Sequence, residues 1–265
     1  MAGPGAKASP LALDIYVGPL CRYYTSDWEP VTSRVGRDAG VAVLAGSVKD
    51  ASPGRIAPSD EVVLETADAI SEWQLELAYT LTRHGVIDFG WAEHRSLDYR
   101  VDRPDWDGWG ALRLWAALLH ENSPAKPDRL PEDWQESPIL VTYANADAES
   151  AFPHLLQDIS MWLPLEKDVI LSGPAPDERV QAFGALGMLV DELEAINKIS
   201  WQADDLTIAR WIVAGLDTPP EDLGSLEAGG RTMPLLEDAA KFGFAVTYRL
   251  ARIARRRWQP LVLHY

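Results

Sequence analysis

The chain predicts an α+β fold: a helix-rich single domain with a small mixed or antiparallel sheet. Three observations carry that prediction. Apolar residues recur at helical spacing over long stretches, above all 59–84, 186–199 and 234–258; short β-favouring runs lie between them; and the order is irregular, without repeated βαβ units. With 265 residues, 47% of them hydrophobic, the chain can bury a sizeable core. The segments 47–58, 122–132 and 217–234 are Pro/Gly/Ser/acid-rich loops too short to serve as tethers. Residues 1–10, MAGPGAKASP, read as a flexible tail and 11–265 as the domain.

Residues 12–18, ALDIYVG, alternate as a strand does, and Ser26 or Asp27 then caps a short helix through Val35 that stops at Gly36 or Gly40. Val41–Ala45 reads as a second strand. Pro58-Ser59 opens a long helix that ends at His84-Gly85, where glycine suits the position past a helix terminus. Val86–Phe89 reads as a short strand, and Asp107 as the cap of a helix over Gly108–His120 that stops before the proline-rich loop 124–131. Residues 139–143 favour β structure. Phe152–Leu163 predicts a short helix, and Asp168–Leu171 with Val180–Phe183 two strands joined through the turn at 173–177. Helices follow at Leu186–Ile199 and Leu206–Leu216, and a last one from Pro234 to about Trp258. Pro260 ends it before a terminal strand at Leu261–Leu263.

Glu61, Glu65, Asp68, Glu72 and Glu76 recur at i, i+4, i+7, i+11 and i+15 of the long helix, so they fall within about an 80° arc. Val62, Val63, Ile70, Trp73, Leu77 and Leu81 gather on the other side. Like charges one turn apart repel, and no Lys or Arg occurs between Arg55 and Arg83 to relieve them. The plainer reading is a solvated helix face, but such faces usually mix signs. The stripe is therefore the candidate partner-binding surface. One competing arrangement is that the terminal helix, with Arg249, Arg252, Arg255, Arg256 and Arg257, packs over it.

Composition narrows the partners. With 40 acidic and 24 basic residues the formal charge is −16, which repels phosphate backbones and anionic lipid and favours a basic protein partner. Nucleic acid and membrane are poor partners on this ground, and no run approaches the roughly 18 apolar residues of a spanning helix. Cys21 is the single cysteine, so no intrachain disulfide can form, which fits a cytoplasmic location. The eleven tryptophans suit a core or interface anchors.

No set of residues reads as catalytic. G-x-S-x-G, P-loop, G-x-G-x-x-G and H-E-x-x-H patterns are absent, and the five histidines lack ligand spacing. The sequence calls for no metal and no cofactor. Weaker candidates are Tyr23, Tyr24, Asp27 and Trp28, which are read as a loop segment whose plainer role is to pack beneath a helix and cap it. Glu93, His94, Asp98, Asp102, Asp105 and Asp107 form the densest set of oxygen and imidazole groups. Asp105-Trp-Asp107-Gly108 shares part of a calcium-loop pattern but lacks the other ligand positions, and Arg95, Arg100 and Arg103 offer salt bridges instead. Cys21 beside Arg22 is a weak thiolate candidate against the plainer reading of a small buried hydrophobe.

The blocks LDIYVGPLCRYYTSDWEP, RPDWDGWGALRLWAALL, MWLPLEKDVILSG and KFGFAVTYRLARIARRRWQPLVLHY resemble a group of bacterial cytoplasmic proteins without an assigned activity. The resemblance implies no catalytic residue. In general character, small acidic proteins of this sort are similar to immunity proteins that neutralise basic toxins. The expectation is an acidic protein-binding module, an immunity-type inhibitor of a basic toxin or effector. The alternatives are an enzyme with acid–base or metal-assisted chemistry around Glu93–Asp107 and a self-associating structural subunit. Oligomeric state is left open.

Overall fold

Asp14–Val17 (β1) is buried at all four positions because it lies inside a sheet, not at its edge. In the computed structural model, which describes residues 13–31, 57–87, 89–145, 148–217 and 233–265, β1 pairs with β2 (Arg100–Asp102) on one side. On its other side runs the C-terminal strand β6 (Leu261–His264). With β3 (Ile159–Leu163), β4 (Leu171–Pro174) and β5 (Val180–Ala185) this makes a six-stranded sheet in the order β2-β1-β6-β3-β5-β4. β3 and β5 run parallel and the other pairs antiparallel, so the sheet is mixed.

Strand alternation sends side chains into two layers. Ile15, Val17, Leu261 and Leu263 enter one, Tyr16 and Val262 the other. In β3 the register shifts between Ile159 and Met161. The extra residue puts Ile159 and Trp162 in the first layer but Met161 and Leu163 in the second, which strict alternation could not do.

Among the described residues the α-helices are α1 (Leu20–Tyr24), α2 (Asp60–Arg83), α3 (Asp105–His120), α4 (Pro138–Ala144), α5 (Pro153–Leu156), α6 (Leu186–Ser200), α7 (Asp205–Asp217) and α8 (Leu236–Arg257). α3 to α8 pack in the first layer, where α3 and α8 touch backbone to backbone: a β-carbon at Gly243 would overlap the Gly108 carbonyl. α1 and α2 cover the opposite face. The fold is thus α+β with a mixed sheet. Among the described residues no helix is long and apolar enough to cross a membrane.

Several sequence expectations are corrected. Residues 139–143 belong to helix α4, since Pro138 suits its first turn and Leu140 and Tyr143, three apart, bury together. Phe152–Leu163 divides into helix α5 and strand β3. The strand expected at 168–171 lies at Leu171–Pro174, and β2 had no sequence signal. Residues 86, 87 and 89 are in no strand. Tyr23 and Tyr24 belong to a helix that precedes Asp27, so Asp27 caps nothing there. α3 begins at Asp105, with Pro104 and not Asp107 at its cap position. Residues 28–31 of the helix expected through Val35 are not helical, and the rest of that helix, the tail at 1–10 and the strand at 41–45 lie outside the described residues.

Candidate protein-binding face

α2 forms because every level of its sequence agrees. Ser59 caps it by accepting the Val62 N–H at 3.3 Å, Asp60 and Glu61 sit in the first turn beside the positive end of the macrodipole, and Gly85 follows with φ of 72°. Val63, Ile70, Trp73, Leu77 and Leu81 are buried against the sheet. Two polar clamps fix its position: Trp73 Nε1 donates to the Pro174 carbonyl at 2.8 Å, and the Gln74 amide bonds the Trp91 N–H and carbonyl at 3.3 and 3.4 Å. Val62, expected on the buried side, is exposed.

On the opposite side Glu61, Glu65, Asp68, Glu72 and Glu76 all face solvent, and none has an ion partner among the described residues. The terminal helix does not cover them. α8 lies in the other layer, where Arg249 pairs with Asp102, Arg252 with Asp205 at 2.7 Å, Arg255 with Asp191 at 3.0 Å and Arg257 with Asp98 at 3.7 Å. The same outer side of α2 carries apolar groups that sequence reading missed: Leu64, Leu75 and Tyr79 are 61%, 73% and 68% exposed. Arg83 lies over the Tyr79 ring, 4.9 Å from its centre.

Of the weaker candidates, Glu93 meets the start of α1 and Tyr23, Tyr24, Asp27 and Trp28 lie at or just past its end, all in structural contacts. The Glu93 carboxylate accepts the Leu20 and Cys21 N–H groups, each at 2.9 Å, and Trp91 Nε1. These are the first amides of α1, whose cap position, Pro19, has no side-chain acceptor, so Glu93 supplies one from 73 residues away. Burial raises the Glu93 carboxyl above its usual range, against the lowering effect of those donors. Burial, reinforced by Glu93, likewise pushes the Cys21 thiol up to about 12. Arg22 donates to the backbone carbonyls of Asp27, Arg95 and Leu97 and lies over the Tyr99 ring. Asp27 pairs with Arg95 at 2.9 Å, and Arg95 also reaches Asp60 in the first turn of α2.

Trp28 is buried, stacks on Tyr23 and meets the edge of His264 at 4.8 Å between ring centres. Burial raises the Tyr23 hydroxyl to about 12 and that of Tyr24 well above its ordinary value. His94 Nδ1 sits 2.6 Å from Ser96 Oγ at the surface. Asp98 lies 3.9 Å from Arg100 and 3.7 Å from Arg257, and Asp102 accepts the Arg103 N–H and pairs with Arg249. Asp105 and Asp107 stand apart from Glu93 and His94 in the sequence and occupy the first turn of α3. Among the described residues no three His, Cys, Asp or Glu side chains are grouped to hold a metal.

A second carboxylate clamp holds the first amides of α5. Glu192 of α6 accepts the N–H groups of His154 and Leu155 at 2.8 and 2.9 Å and lies 3.0 Å from His154 Nδ1. The signal was an acid on the apolar register of Leu189, Leu193 and Ile196. Burial raises its carboxyl above the usual range, against the lowering effect of His154.

Fold and site together define a mixed-sheet α+β protein that presents an acidic, partly apolar helix face to solvent. No protein-family model, no curated protein and no solved structure matches the chain.

Proposed function

We propose that this chain is a cytoplasmic protein-binding module of the immunity type, whose α2 face engages a basic protein partner. One observation carries the reading: five carboxylates on one helix face are exposed and without ion partners among the described residues, while Arg249, Arg252, Arg255 and Arg257 of α8 are paired in the other layer. Unpaired charge of one sign steers an oppositely charged partner and sets its register. The net charge of −16 extends that field and works against nucleic acid and anionic lipid.

The test compares the tagged chain with the folded triple variant Glu65→Lys, Asp68→Lys, Glu72→Lys in pull-downs from one bacterial lysate at low and high salt. The expected result is a basic protein held in stoichiometric amount by the unaltered chain, weakened by salt and lost from the variant. Equal recovery by the variant would remove α2 from the binding site. Absence of any stoichiometric partner at either salt would overturn the reading and leave the enzyme alternative around Glu93–Asp107.

A further inference from the structure

The outer face of α2 carries more than charge. Leu64, Asp68, Ser71, Leu75, Tyr79 and Thr82 follow one another at intervals of four, three, four, four and three residues. That alternation draws a continuous seam along one side of a helix, the spacing by which one helix packs against another. Three members are large, apolar and mostly exposed, and between Leu64 and Leu75 the seam carries the exposed carboxylate Asp68 and the small Ser71. At about 100° per residue, Glu65, Glu72 and Glu76 run beside the seam on one flank, where charged residues border a helix–helix contact.

We infer that the partner element is a basic amphipathic helix laid along α2. Its apolar side chains pack on Leu64, Leu75 and Tyr79, and its Lys or Arg residues face the flanking carboxylates. This rests on the binding-module reading and adds the form of the ligand. Charge complementarity selects the sign, since from Leu64 to Tyr79 that flank carries acids and no base, Arg83 following only in the last turn. The seam selects the shape: a strand would find no free backbone groups on the side of a helix, whereas a second helix can bury all three apolar groups at once. Leu64 and Tyr79 are 15 steps apart, so at about 1.5 Å each the partner helix needs roughly 22 Å, about four turns.

The probe is a synthetic peptide of about 18 residues with leucine at a three-four spacing and lysine elsewhere, titrated against the whole chain by calorimetry and circular dichroism. Two controls share its charge: a scrambled peptide of the same composition, and polylysine. The variants are Leu75→Gln with Tyr79→Gln, polar helix formers at exposed positions, and the triple Lys variant above. The expected result is gain of peptide helicity on binding, affinity about tenfold or more above the scrambled control, and loss of that margin in the Gln variant.

Equal affinity for the amphipathic and scrambled peptides would overturn the helix inference while leaving a basic partner in place. So would a Gln variant that binds the amphipathic peptide undiminished. Binding of neither peptide nor polylysine, or binding untouched by the triple Lys variant, would overturn both readings.

Discussion

Glu93→Ala tests the idea that a distant carboxylate closes the start of α1. The substitution strands three donors: the N–H groups of Leu20 and Cys21 and Nε1 of Trp91. A buried donor left without a partner costs about 1–3 kcal/mol, so three cost roughly 3–9. Removing a buried carboxylate, whose raised pKa records its desolvation, returns part of that cost. A net loss of about 4 kcal/mol is expected, a large share of the roughly 5–15 kcal/mol that hold a domain folded. Urea unfolding followed by tryptophan fluorescence measures it, read from the midpoint at unchanged slope, with a Tm lowered by roughly 10 °C. Glu93→Gln keeps the shape and one acceptor oxygen and is expected to lose about 1–2 kcal/mol. A loss under about 1 kcal/mol for Ala would mean that water satisfies these donors and that Glu93 is no clamp.

Gly243→Ala forces apart two helices whose backbones touch, because its β-carbon overlaps the Gly108 carbonyl; a loss of about 2–3 kcal/mol in the same urea assay is expected, and a neutral result would refute the close crossing. The raised carboxyl of Glu192 favours the folded state below its unfolded value of 4.5, and that contribution is lost as pH rises through the folded value. Unfolding of the unaltered chain and of Glu192→Gln at pH 4.5 and pH 7 should therefore show the stability gap between them wider at the lower pH; a gap that widens toward pH 7 would reverse the sign. Cys21 is fully buried with its thiol pushed up to about 12, so it should resist a thiol reagent at pH 8 until the chain unfolds. Labelling of native protein at the unfolded rate would contradict this.

What could be read from sequence was what is written locally. α2, α6 and α8 announce themselves because apolar residues repeat at helical spacing for 15 residues or more. β1 and β6 are short but apolar between clear breaks. α4 was hidden because Ile139, Val141 and Thr142 favour β structure, and only the packing of Leu140 and Tyr143 overrides that preference. β3 was hidden behind Pro153, and its bulge defeats any strict period. The two carboxylate clamps depend on partners 38 and 73 residues away, which no local window contains. The candidate face was half legible. Its acids stand out by spacing, whereas Leu64, Leu75 and Tyr79 look like core residues until the fold shows which way they point.

The physical question about the α2 face is why a helix tolerates such a stripe. Four neighbouring acid pairs, Glu61/Glu65, Glu65/Asp68, Asp68/Glu72 and Glu72/Glu76, each cost about 0.2–0.5 kcal/mol, together about 1–2. Against that, Val63, Ile70, Trp73, Leu77 and Leu81 each contribute about 1.5–3 kcal/mol by burial, on the order of 10 in sum. The inner face therefore holds the helix, and the outer face is free to be suboptimal. Such a standing cost is characteristic of surfaces kept for binding. Glu65→Gln, Asp68→Asn, Glu72→Gln should accordingly stabilise the free chain by about 1 kcal/mol at low ionic strength while weakening capture of a basic partner. The gain should shrink with added salt, because screening relieves the same repulsion in the unaltered protein. A triple variant that lost stability would show that these carboxylates are engaged within the folded chain, and the case for a docking face would fall with it.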